Sequence, residues 1–231
     1  MSARTPELVR IAAPVLAVIV AGTIVTSLAL PAGAPPFSDT LGSVHRWWYL
    51  GRASGFVAYA LLVGSMLLGI GISSRVFDGL LVRPWVFEMH QFLSYFLLIA
   101  TAFHALILLP DPYAQFDPVE LLVPFASPYR PLATALGTIA LYGLVAVAFS
   151  HYAKRWLGQT GWRNLHYVSF PLFAGALIHG VTAGADSSST PVQVSYLASG
   201  LAVVFFTFFR ILAVRSRPRP APQPAGPQPF G

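Results

Sequence analysis

The chain has 231 residues, 55% of them hydrophobic and only 10% charged, with a mean hydropathy of +0.66, which excludes an ordinary soluble globular domain. It contains no cysteine, so disulfide frameworks, thiolate metal sites and cysteine nucleophiles are excluded as well. The formal charge of +6 reads as membrane orientation and gives no sign of nucleic-acid binding.

Crossing about 30 Å of hydrocarbon takes about 20 largely apolar residues in a helix. Six segments qualify, near 9–30, 48–72, 85–109, 131–150, 164–183 and 191–213. Backbone polar groups cannot stay unpaired in lipid, so the expected fold is all-α, a six-helix transmembrane bundle. Arg4 and Arg10 before the first run and PAGAPP after it also suit a signal peptide. That run is longer than a usual signal core, and a retained first helix is expected. Turn-rich breaks separate the spans: LPAGAPPFSD (30–39), SSRVFDGLLVRP (73–84), the stretch 110–131, HYAKRWLGQTGWRN (151–164) and GADSSSTP (184–191). The closing RSRPRPAPQPAGPQPFG is too proline-rich to pack a core and is expected to be disordered. The resulting division is 1–44 with the first helix, 45–213 as the main membrane domain, and 214–231 as a cytoplasmic tail.

Alternate loops differ in charge. One side collects Arg4, Arg10, Arg75, Arg83, Lys154, Arg155, Arg163, Arg210, Arg215, Arg217 and Arg219, while the other has only Arg46, Arg52 and Arg130. Basic residues stay inside, so both termini are expected in the cytoplasm of a multi-pass cell (inner) membrane protein. Asp39, Asp111, Asp117, Glu120 and Asp186 then fall outside, and Glu7, Asp78 and Glu88 at the inner face.

Two spans carry histidines where lipid-facing chains avoid them. His90 and His104 are fourteen residues apart in HQFLSYFLLIATAFH, nearly one face of a helix at two depths about 21 Å apart. The fifth span repeats this in HYVSFPLFAGALIH with His166 and His179, thirteen residues apart. That interval leaves them about 140° out of phase in an ideal helix, and Pro171 is the expected source of a correcting distortion. The third and fifth spans run parallel, so His90 lies level with His166 and His104 with His179. Two facing imidazole pairs at two depths suit two haems, each taking a histidine on either side. Phe92, Tyr95, Phe96, Phe103, Phe170 and Phe173 are candidate walls of the slot, and Gly175 and Gly180 candidate points of close approach.

Haem propionates want cations at the interfaces. Arg52 is the outer candidate, though an interfacial anchor is an equal reading of it; Arg163 is an inner candidate, with Arg83 or Arg75. Each ligating imidazole is expected to donate its other N–H to a carbonyl one turn back in its own helix. A lone membrane histidine more often bonds a neighbouring helix, and a proton relay would normally recruit Asp or Glu, of which none lies at mid-depth. His45 and His151 sit at interfaces and read as solvated or headgroup-facing groups.

These histidines, with GWRNLHYVSFPLFAGALIHG and its Trp162, Leu165 and His166, resemble the ferric reductase-like transmembrane domain over roughly residues 45–213. The resemblance implies two b-type haems between helices 3 and 5, an arginine near the outer haem for which Arg52 is the counterpart, and electrons passing from a cytoplasmic flavin to an acceptor outside: ferric iron, oxygen or a periplasmic reductase. It also implies the haem-binding membrane component of an oxidoreductase. Oxidases and eukaryotic ferric reductases of that family continue into a flavin and nicotinamide dehydrogenase domain, which does not follow here. A separate flavin reductase, or a membrane quinol, is therefore the expected donor. The family's subunits serving a methionine sulfoxide reductase also lack that domain but have an incomplete histidine set. The alternative is a di-haem cytochrome b exchanging electrons with the quinone pool, whose histidine pairs sit on the second and fourth spans instead.

Overall fold

The computed structural model describes residues 46–74, 82–112 and 115–215. The expected first span near 9–30, His45, Arg75, Asp78 and nearly all of the proline-rich tail lie outside the described residues. The regular elements among those described are all helices: α1 (Arg46–Ser74), α2 (Arg83–Leu106), α3 (Pro118–Leu122), α4 (Pro131–Tyr167), α5 (Ser169–Ala183) and α6 (Thr190–Arg215).

Four helical stretches are long and apolar enough to cross a membrane: α1, α2, the run Pro131–Ala183 and the Thr190–Leu212 part of α6. The third has 53 residues, which would reach about 80 Å if straight. It doubles back instead. Gly158 stands at φ 67, ψ 176, a region that is essentially closed to any residue with a side chain, and it has nothing around it for a Cβ to meet. Beyond it the chain returns along α4: Leu172 lies over Gly143, and Arg130 donates to the carbonyl of Thr182.

This corrects the expected loop at 151–164. Ala153, Lys154, Arg155, Leu157 and Gln159 are good helix formers, no proline interrupts the segment, and a single glycine makes the reversal. A second addition lies in the break at 110–131, where Asp117 and Glu120 form a capping box for the short α3. Thr138 and Tyr142 of α4 then donate to the carbonyls of Leu121 and Leu122, its last two residues.

α1 is the hub, packing against α2, α5 and α6. Its buried positions are largely small: Gly51, Ser54, Ala58, Ser65, Gly71 and Ser74, as expected where membrane helices approach closely. Two apolar clusters fix the arrangement. Met66 and Ile70 meet Phe173 of α5 and Val203 of α6, while Ala58 and Leu61 meet Leu97 of α2. Outside these seams the surface is apolar, with Ile99, Leu197 and Phe205 each 64% exposed, a surface that in water would be an aggregation hazard and in lipid is the ordinary one.

Gly158→Ala should destabilise the purified protein by about 1–3 kcal/mol, read as a lower Tm in detergent, because alanine cannot hold this backbone conformation.

Candidate functional site

His90 and His104 lie on α2, His166 on the last turn of α4 and His179 on α5. The structure brings them together as two facing pairs. The ring centroids of His90 and His166 are 6.1 Å apart at 72°, and those of His104 and His179 are 6.4 Å apart at 77°. The out-of-phase interval is absorbed at Val168, where helix α4 gives way to α5 and the Val168 N–H bonds Leu165 rather than the residue one turn back. Pro171 has no N–H to offer the carbonyl of Tyr167, four residues earlier, and the interruption falls beside it.

Three of the four imidazoles sit in the same kind of cradle. His104 donates from Nδ1 to the carbonyl of Gly51 at 2.9 Å, His90 to Ser65 at 3.0 Å, and His179 to Ala133 at 2.7 Å. In each case the residue one turn beyond the carbonyl is a glycine lying under the ring. A Cβ at Gly55 would come within 2.9 Å of His104 Cε1, at Gly69 within 3.1 Å of His90 Cε1, and at Gly137 within 2.7 Å of His179 Cε1. A carbonyl only accepts, so these bonds place the proton on Nδ1 and leave the Nε2 lone pair free. Ser54 and Ser65 add hydroxyls 3.3 Å from Nδ1 of His104 and His90. The acceptors come from neighbouring helices α1 and α4, not from the histidine's own helix as the sequence suggested, because the side chains project outward onto the backbone of the next helix.

This geometry fits a haem between each pair. A metal–imidazole bond of about 2.0–2.1 Å on each side, with each ring centre about 1.1 Å behind its nitrogen, puts the centroids about 6.3 Å apart. Both observed separations match that span. Among the described residues His, Asp and Glu form no group of three or more that could hold a metal, so the chemistry available is that of imidazole pairs. α2 and α5 make little direct contact.

The other expected residues divide. Arg52 is engaged: its guanidinium forms a two-point ion pair with Asp186 and lies 4.1 Å over the ring of Trp48. It is next to Gly51, so the ion pair sits at the His104 end of the slot, and a propionate there would have to share the arginine. Arg163 is exposed and makes no hydrogen bond or ion pair among the described residues. Phe92, Phe96 and Phe103 lie about 200–240° round α2 from His90, while Phe96 and Phe103 are only about 80–100° from His104; all three are exposed. Phe173 and Phe170 belong to the core with α1 and α6. Gly175 has its nearest neighbour 3.9 Å from a Cβ position, and Gly180 faces the Tyr196 hydroxyl; neither touches a histidine. The missed residues, Gly55, Gly69 and Gly137, had a signal: Gly55 and Gly69 repeat the fourteen-residue interval of His90 and His104.

No family model, no curated protein and no solved structure matches the chain.

Gly137→Ala should cost about 1–3 kcal/mol of stability by overpacking against His179, whereas Gly175→Ala should leave Tm unchanged or raise it; thermal unfolding in detergent compares them. Asp186→Ala should cost about 1–3 kcal/mol, between the values for exposed and fully buried pairs, since it strands an arginine only 15% exposed.

Proposed function

We propose that the chain is a membrane electron-transfer protein of the ferric reductase-like kind, a six-span bundle holding two b-type haems, the inner between His90 and His166 and the outer between His104 and His179. The observation that supports this best is the pair geometry: centroid separations of 6.1 and 6.4 Å, with Nδ1 of three histidines donated to carbonyls and Nε2 left as the ligand atom. A haem held this way supplies reversible one-electron iron chemistry.

The protein's own part is orientation and insulation. The carbonyl bonds set the ring planes and raise the basicity of the ligating nitrogen. Histidine on both sides leaves an acceptor to react at the edge of the slot, away from the metal. The two pairs, about 21 Å apart in depth, span most of the hydrocarbon thickness of about 30 Å.

Direction follows from charge. With the basic loops inside, the Gly158 turn faces the cytoplasm, and Lys154, Arg155, Trp156 and Arg163 are exposed there, a surface suited to an acidic flavoprotein donor. The Arg52–Asp186 end then faces outward, where ferric iron, oxygen or a periplasmic reductase takes the electron.

Protein purified from haem-replete cells should show a b-type reduced-minus-oxidised spectrum with about two haems per chain. Replacing His104 or His179 by alanine should lower that to about one, with loss of electron delivery from reduced flavin or quinol donors to an outside acceptor. Colourless wild-type protein, or a variant that keeps both haems, would sink the proposal.

A further inference from the structure

The fourth histidine is treated differently from the other three. In the α1–α2 hairpin the acceptors Gly51 and Ser65 are fourteen residues apart, as are the histidines they serve. In the α4–α5 hairpin Ala133 serves His179. Fourteen residues further along α4 comes Val147, and one turn beyond it, where Gly55, Gly69 and Gly137 stand in the three cradles, comes His151. The Val147 carbonyl accepts instead from Ser150 Oγ at 2.7 Å, and His151 turns its own Nδ1 back to the carbonyl of Ala148 at 2.9 Å. His166 is left with a buried Nδ1 that has no hydrogen-bond partner among the described residues. The indole of Trp162 lies against it, centroids 5.4 Å apart, and brings a second buried nitrogen without a partner among the described residues rather than an acceptor.

We propose that His151 is a positioning residue: by occupying the glycine place of a fourth cradle it denies His166 the Val147 carbonyl, and so makes His166 the weakest ligand of the four. This rests on the haem reading above. An imidazole whose Nδ1–H is bonded to a carbonyl pushes electron density towards its other nitrogen, which favours the oxidised metal and tightens its binding. His90, His104 and His179 have that support, and His166 does not. The outer pair is therefore doubly supported and the inner pair singly. The inner haem is the more readily reduced of the two and the more readily lost. An electron entering from the inner side rests at the inner pair until an acceptor draws it outward.

The test uses the haem-loaded full chain. In an optical redox titration the wild type should show two midpoints, and the His179→Ala variant, which keeps only the inner site, should retain the higher one. His151→Gly should move that higher midpoint down and leave the lower one in place. An unchanged higher midpoint, or a shift confined to the lower, overturns the proposal. A second measurement needs no folded variant at position 151: with excess apomyoglobin as haem trap, the wild type should release its inner haem about 10–100-fold faster than its outer one, and release of the outer haem first overturns the proposal too. Failure of the haem reading looks different, because protein that binds no haem shows neither midpoints nor release.

Discussion

An imidazole N–H inside a lipid-embedded bundle has no water to bond, so the protein has to supply its acceptor. Much of this structure follows from that constraint. Helical carbonyls are the acceptors at hand, and one that already takes its own helix's N–H retains a second lone pair. Reaching it requires the ring to lie against the backbone of the neighbouring helix. Only a glycine leaves that room, which accounts for Gly55, Gly69 and Gly137 standing one turn past the three acceptor carbonyls.

The constraint also organises the hairpins. In both, the first helix gives the carbonyl and glycine, and the second gives the imidazole: α1 to α2, and α4 to α5. Small residues on α1 bring α2 close enough for the bonds to form, and the Gly158 reversal brings α5 back along α4. With three of the four rings held from behind, the two hairpins bring the histidines into pairs whose ring centroids lie 6.1 and 6.4 Å apart. Against these three, His166 stands apart as the ring with no Nδ1 partner among the described residues.

Legibility from sequence varied with the kind of interaction. Apolar run length located the starts and ends of α1, α2 and α6 to within about three residues, because hydrocarbon thickness limits them directly. The interval between His90 and His104 placed both on one face because helical periodicity is fixed. Pro171 announced the distortion of the fifth span, and the break at Val168 lies one turn before it. The helical continuation through 151–164 was hidden by its charge, since the interfacial residues His151, Lys154, Arg155 and Arg163 read as a loop while their backbone propensity favours helix. Slot walls are not legible locally for a related reason: Phe92, Phe96 and Phe103 are as apolar towards lipid as they would be towards a cofactor.

By itself, the sequence determined that the protein lives in a membrane, that its spans are helical, and that two of them carry histidines at two depths, because hydrophobic length and helical period are local properties. Only the tertiary structure decided which backbone carbonyl holds each of three imidazoles, that Arg52 is joined to Asp186 134 residues away, and that His166 is left without an acceptor among the described residues. Every residue has a carbonyl, so the choice of one as a partner leaves no mark in the residue type. It is made by how closely two helices approach, which the glycines permit and the packing around α1 fixes.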